Sequence, residues 1–306
     1  MKISVEKKNS TVNNVKTSCS QLVQFKKGLL ISLAAMTLSA CHNSGMQLQF
    51  NGSPNDSSIV NGVEVQQDSP EALATVALYF PRSANGNAIS SFCTGVLISE
   101  DLVLTAGHCF ADFAKEIKVS PKILQENVLI GFGLKDAKDS SDPEVVFRHV
   151  ANFQVNPNYV VGSIAHATTE AMYDMTLVRL DQSAPGSAKP VQLITDASIL
   201  KAGLKLTLAG FGLLSAQPMV ETTKMMKVNV QVDNPSITKT QFTFKVVKGK
   251  SSCSGDSGGP AYVKLSNGDL GVIGVTSWGD KTCKHIGAYT SVPALADWIQ
   301  STSQSL

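Results

Sequence analysis

The sequence predicts an all-β protein with strands enough for two small antiparallel barrels, and three observations carry that prediction. From Ile59 onward the 306-residue chain is a succession of short apolar runs: "LATVALYF", "TGVLIS", "LVLTAG", "NVLIGFG", "MTLVRL", "LKLTLAGFG" and "GVIGVTSWG". Clusters of Gly, Pro, Asn and Asp separate them, so the runs have strand length and turn-like borders. Only "VPALADWIQST" at the C-terminus has helical spacing, with Leu295, Trp298 and Ile299 at i, i+3 and i+4. Many short strands of this kind build a barrel or a sandwich, and their number suits two barrels better than one, although no sequence repeat marks the halves. At 43% hydrophobic and 16% charged residues, the chain has the composition of a globular protein with a sizeable core.

The chain before Ile59 reads differently. Lys26 and Lys27 precede "GLLISLAAMTLSA", an apolar run of 13 residues. That is signal-peptide length and short of the roughly 20 residues that span a bilayer. Residues 1–40 are therefore expected to be an export signal. The run ends in "LSAC", Leu38 to Cys41, which resembles a bacterial lipobox, where the cysteine thiol receives a diacylglyceryl group and becomes the new N-terminus. A plain secretory signal cut nearby is the alternative, and the polar stretch before Lys26 is long for either. Residues 42–58, "HNSGMQLQFNGSPNDSS", lack periodicity and read as a flexible tether. The formal net charge of +2 includes +5 from residues 1–40, so the remainder stands at −3. No basic surface is expected on it, and nucleic acid is not expected as a partner.

Of six cysteines, Cys19 leaves with the signal and Cys41 is taken by lipid. Cys93, Cys109, Cys253 and Cys283 form an even set in an oxidising compartment, where disulfides are the default. No Cys-x-x-Cys pair occurs, so zinc is not expected, and no other metal or cofactor is expected either. The acidic stretch from Asp136 to Glu144 is read as a solvated loop rather than a calcium site.

"SSCSGDSGGP", residues 251–260, is made of turn-forming residues, yet it offers the Ser257 hydroxyl beside Asp256. A serine that attacks a carbonyl needs a base in reach, a group that orients the base, and donors for the oxyanion. Among five histidines, His42 lies in the tether, and His149, His166 and His285 have the surroundings of solvated loops. His108 sits in "LTAGHC", after an apolar run and beside Cys109. Asp174 opens the apolar strand "YDMTLVRL", where burying an unpaired carboxylate is costly and a histidine partner would resolve the cost.

"TAGHC", "YDMTLVRL" and "SCSGDSGGP", in that order, resemble the His, Asp and Ser segments of the chymotrypsin/trypsin-like serine endopeptidases. The resemblance extends through "IVNG" at Ile59, "CTGVLIS" at Cys93, "VNPNY" at Val155, "AGFG" at Ala209, "TSWG" at Thr276 and "GAYTSV" at Gly287, and so covers 59–306. It implies two antiparallel six-stranded β-barrels with the catalytic cleft between them and a C-terminal helix. It makes Ser257 the nucleophile, His108 the general base and then acid, and Asp174 the group that orients His108, with Ser277 bonded to Asp174. The amides of Gly255 and Ser257 become the oxyanion hole, and the expected disulfides are Cys93–Cys109 and Cys253–Cys283.

The same resemblance gives Asp256 a partner. Cleavage between Ser58 and Ile59 would create an ammonium that folds inward and pairs with this carboxylate, so the uncut chain is expected to be a zymogen with residues 41–58 as tether and propeptide. Ser58 is neither Arg nor Lys, which disfavours a trypsin-like activating protease. Ser251 falls at the base of the primary pocket, with Ser277, Trp278, Gly279 and Gly287 along its walls. Without an acid at the base and with open walls, the expected P1 residue is large and apolar or aromatic. The short segment "KHI" could instead carry Lys284 or His285 towards the pocket and favour an acidic P1. The expected life history is a lipoprotein of the bacterial cell envelope, held to the membrane by its lipid, that becomes a secreted protease acting on protein or peptide substrates. A protease homologue that binds without cutting and a purely structural surface lipoprotein are the readings from other classes.

Overall fold

The structure is a computed structural model that describes residues 59–81, 89–134, 136–137, 144–160 and 172–306. The signal, Cys41, the tether and most of the acidic loop before Glu144 lie outside the described residues.

Two closed six-stranded antiparallel barrels form the framework of the described residues. The first comprises β1 (Thr75–Pro81), β2 (Ile89–Leu97), β3 (Leu102–Thr105), β4 (Leu129–Phe132), β5 (Val146–Val155) and β6 (Thr176–Leu180). Its order is β1-β2-β3-β6-β5-β4, closed by the pairing of Leu78 with Ile130. The second comprises β7 (Lys205–Gly210), β8 (Met226–Thr238), β9 (Gln241–Lys245), β10 (Pro260–Lys264), β11 (Leu270–Gly279) and β12 (Ile286–Ser291). Its order is β7-β8-β9-β12-β11-β10, closed by Ala261 against Leu208. The two halves thus repeat one topology, although their sequences show no repeat.

Alternation along the strands explains how two barrels share one domain. In β3, Val103 points into the first barrel's core, while Leu104 joins a separate cluster with Leu177, Ala209, Tyr262 and Val275 drawn from both barrels. In β7, Leu208 faces the second barrel's interior and Ala209 faces the same shared cluster. A strand buried on both faces reads as a continuous apolar run, which is what "LVLT" is. The C-terminal helix α4 (Ala296–Ser305) covers this interface with Ile299, preceded by Leu295, while Trp298 packs half-buried at its edge.

Two expectations need correction. The spacing pattern placed helix only at the C-terminus, yet the structure also contains α1 (Pro70–Ala74), α2 (His108–Glu116) and α3 (Pro121–Asn127). Both α1 and α3 begin with a Ser-Pro pair: Ser69 Oγ accepts from the Ala72 amide and Ser120 Oγ from the Ile123 amide. Serine at the cap with proline at the first helical position is a start signal that works over five to seven residues, too few for periodicity to register. The expectation of no basic surface also fails. Lys205 opens β7, Lys245 closes β9 and Lys264 closes β10, so the antiparallel order brings lysines far apart in sequence to one end of the second barrel.

Candidate active site

His108 is the first residue of α2, where backbone amides have no partner within the helix. The Asp174 carboxylate supplies one. Its Oδ1 accepts from the His108 amide at 2.8 Å, its Oδ2 lies 2.9 Å from His108 Nδ1, and Ser277 Oγ donates to Oδ2 at 2.6 Å. This acid is fully buried, and three donors from three segments meet its cost of desolvation. The contact fixes the proton on Nδ1, which leaves Nε2 as the acceptor. Burial alone would lower the His108 pKa; the charge and hydrogen bond of Asp174 outweigh it, and the imidazole is held above its ordinary value.

Ser257 arrives from the second barrel. Its carbonyl accepts from the Thr94 amide at 2.8 Å, and Thr94 Oγ1 donates to the Gly255 carbonyl at 2.9 Å. Gly258 packs so tightly against Thr105 and Ala106 that a Cβ there would collide with the Thr105 hydroxyl and approach the Ala106 amide to 2.8 Å. That close approach sets the serine loop against the strand that leads into His108. The Ser257 hydroxyl and the imidazole make no direct hydrogen bond here, as is common before substrate draws such pairs together.

The loop's backbone has one conspicuous division of labour. The amides of Asp256, Gly258 and Gly259 donate to Cys253, Thr276 and Asp256 carbonyls. The amides of Gly255 and Ser257 donate to no acceptor among the described residues. Gly255 has φ +96°, a left-handed geometry that L side chains avoid, and a Cβ there would lie 2.8 Å from Gly212 Cα. Two unspent donors flanking Asp256 are what an oxyanion requires.

Asp256 itself is buried, with Oδ1 accepting from Gly212 and Oδ2 from Cys253, both at 2.8 Å. No cation pairs with it among the described residues. Burial pushes its pKa up to about 7, and the two amides only partly offset this. Ile59 is fully buried in the second barrel's core with φ +43°, and Val60 bridges to Ser251.

Both disulfides expected from the resemblance are present, with Cα separations of 6.2 Å for Cys93–Cys109 and 5.4 Å for Cys253–Cys283. Cys93, His108 and Cys109 also bring their ligand atoms within 4.8 Å of one another. The two sulfurs are bonded to each other, so this trio offers a metal one imidazole and no thiolate.

Ser251, expected at the base of the primary pocket, is buried and donates its hydroxyl proton to the Ser252 carbonyl at 2.8 Å. Gly279 pairs with Gly287 across β11 and β12, and Gly287 lies against the Phe244 ring. Trp278 Nε1 reaches Gln241 Oε1 at 3.4 Å, and Gln241 Nε2 donates to Ser277 Oγ at 3.0 Å. Gln241 therefore links the Trp278 indole to the hydroxyl that holds Asp174, a contact nothing in its sequence context signalled. Lys284 and His285 do not turn inward. Both are exposed, and their amides, with that of Ile286, donate to the Asp280 carboxylate, which Thr282 also bonds through its amide and hydroxyl. Partial burial works against Asp280, but these bonds prevail and hold its carboxyl well below the usual range. The only sign of this clamp in the sequence was an Asp two residues before a Thr, a common turn pattern. Beside Gly255 opens a cleft of about 390 Å³, lined by Phe92, Phe211, Leu213 and Ser254 among others.

The sequence profile of the family described as Trypsin matches residues 59–299, the whole span that builds these barrels and this site. The chain belongs to the trypsin family. Its members are serine endopeptidases. The chain is 30% identical to "Trypsin" of Phaedon cochleariae over 70% of its own length and 79% of the relative's. It is 28% identical to "Trypsin" of Xenopus laevis, covering 74% of this chain and 86% of that one. A third relative, "Spaetzle-processing enzyme" of Drosophila melanogaster, is 28% identical over 68% of this chain and 58% of its own.

Proposed function

We propose that residues 59–306 form an exported serine endopeptidase that cuts polypeptides through an acyl-enzyme. The observation that carries this reading is the run of contacts Ser277–Asp174–His108 set beside Ser257 and two unspent amides. Ser257 Oγ attacks the scissile carbonyl carbon while its proton passes to His108 Nε2. The carbonyl oxygen, now negative, accepts from the amides of Gly255 and Ser257. Nε2 returns the proton to the leaving amine, and a water activated by the same nitrogen then frees the acyl group. Asp174 steadies the imidazolium between these transfers. A fluorophosphonate probe, which requires an activated serine, should label the cleaved protein and fail to label Ser257→Ala. Equal labelling of both would remove Ser257 from its role.

The P1 preference we assign is large and apolar or aromatic. A neutral, internally bonded Ser251 at the pocket base supports it, as does the outward course of Lys284 and His285, which disfavours an acidic P1. Cleavage of a peptide library mainly after Arg would overturn this.

The chain is read as a zymogen, with residues 1–40 as signal and 41–58 as tether and propeptide. A buried Asp256 without a cation among the described residues supports it, as does the left-handed φ of Ile59, which a β-branched residue adopts only at a cost. Cutting before Ile59 removes that torsion and supplies an ammonium. Lipid on Cys41 would hold the precursor at a bacterial membrane, and since the thiol is then consumed, activation by a separate protease releases the enzyme. N-terminal sequencing of membrane and soluble pools tests this: active enzyme beginning at Ile59 should be soluble and should lack residues 42–58.

A further inference from the structure

A groove of about 690 Å³ opens at the end of the second barrel, with none of the catalytic residues in its lining. Lys205, Lys245, Lys248, Lys250 and Lys264 surround it, with Asp233 as its one acid. In residues 59–306 acids outnumber bases 22 to 20, so a five-to-one excess of cations here is a product of the fold and not of composition. The ion pairs of the described residues engage Lys122, Arg179, Lys224 and Lys227; none of the five groove lysines has one. All five are exposed, and their mutual repulsion is not relieved by the protein itself.

The groove is also held in shape. Val247 and Lys250 bridge across a tight turn in which Lys248 and Gly249 have φ +55° and +71°. Asn61 Nδ2 donates to the Lys248 carbonyl at 3.3 Å, behind the turn. A lysine in the left-handed region is uncommon, and here it sets Lys248 at the tip with Lys250 next to it. The cations are all lysines, with no arginine fork for phosphates and no exposed aromatic ring for bases, which disfavours nucleic acid. Val247, exposed between Lys245 and Lys248, adds an apolar contact among the charges, so the surface suits an extended peptide that combines carboxylates with apolar side chains.

We propose that this groove docks an acidic, extended segment of the enzyme's own polypeptide substrate, at a distance from the bond that is cut. The inference rests on the endopeptidase reading for the identity of that partner. Lys250 immediately precedes Ser251, the residue we place at the base of the primary pocket, so one stretch of backbone joins the groove to the proposed pocket. A chain leaving the cleft must pass round a domain of about 250 residues, a path on the order of 50 Å, which about 15 extended residues cover.

The test has two arms. In the first, a fluorescent Asp/Glu-rich peptide interspersed with Val and Leu is titrated against the full chain carrying Ser257→Ala, which needs no catalysis. Binding is expected at low salt, weakening as salt is added, and about tenfold weaker in the double variant Lys245→Glu, Lys264→Glu. In the second, the acidic tract is fused about 15 residues from the scissile bond of a peptide the active enzyme cuts. The tract should lower KM about tenfold for the parent and not for the double variant, with kcat unchanged and unfused peptide cut equally by both. Equal peptide binding by the double variant overturns the site. Tighter binding of an oligodeoxynucleotide or a sulfated glycan overturns the polypeptide assignment. Binding without any gain in the fused substrate overturns the assignment to substrate. An inactive enzyme whose Ser257→Ala form still binds the peptide through these lysines would count against the endopeptidase reading and leave the groove standing.

Discussion

Asp174 and Asp256 are both buried carboxylates within reach of the Ser257 loop, and their surroundings differ in one respect. Asp174 receives an amide, a hydroxyl and an imidazole that can carry positive charge; Asp256 receives two neutral amides. Among the described residues the first site has a partner that can carry positive charge and the second has none, and burial pushes the Asp256 pKa up to about 7. Neutral amides can orient a buried carboxylate, but an opposite charge is needed to keep it ionised at low cost. On the zymogen reading we propose, the contrast separates a site already complete from one that an ammonium at Ile59 would complete.

Asp174→Asn should break the complete site most severely. With the amide in its place, Nδ1 loses its acceptor, and kcat should fall by about four orders of magnitude. In the parent, activity should rise with pH as His108 gives up its proton, with a midpoint above 6.5, because Asp174 holds the imidazole upward. Any residual activity of Asp174→Asn should titrate at lower pH. An unchanged midpoint would show that Asp174 does not set it.

Asp256→Asn tests the incomplete site. If cleavage pairs the Ile59 ammonium with Asp256 as proposed, the substitution removes one half of that pair, and kcat/KM of the cleaved enzyme should fall about 10²- to 10³-fold, the equivalent of about 3–4 kcal/mol. In the uncut chain the effect should reverse sign as a matter of stability. Below about pH 4 the folded and unfolded forms both carry the Asp256 proton. Between pH 4 and 7 the unfolded chain loses it while the folded chain keeps it, so stability falls with rising pH, by on the order of 4 kcal/mol in total, and is level above that. Asp256→Asn should abolish this fall, read as the difference between the two unfolding curves at pH 4 and pH 7.

Asp280→Ala sharpens the comparison with a third carboxylate, partly exposed and rich in donors. It should release the amides of Lys284, His285 and Ile286 and loosen the wall beside Gly279, raising KM about tenfold with kcat within a factor of about three. A change in kcat alone would place Asp280 outside substrate binding.

The chemistry was more legible in the sequence than its scaffolding. His108, Asp174 and Ser257 stand in short runs whose residue types answer to a reaction, and the cysteines fall beside two of them. Strands announced themselves by alternation and borders, whereas α1 and α3 are set by a single cap each, below the length at which periodicity speaks. Gln241 and Asp280 act through contacts across 36 residues and within one turn, respectively, and neither has a motif. The lysine groove was hidden by its origin: residues from 205 to 264 meet only because the strand order brings their ends together.

The most direct measurement is the titration of the Asp256 carboxyl by ¹³C NMR in the Ser257→Ala chain, assigned with Asp256→Asn. It is followed before and after cleavage immediately ahead of Ile59 by a protease whose recognition sequence replaces the end of the tether. The account predicts a midpoint of about 7 in the uncut chain, moving below the ordinary carboxylate value once the Ile59 ammonium forms. A midpoint that cleavage leaves in place would contradict it.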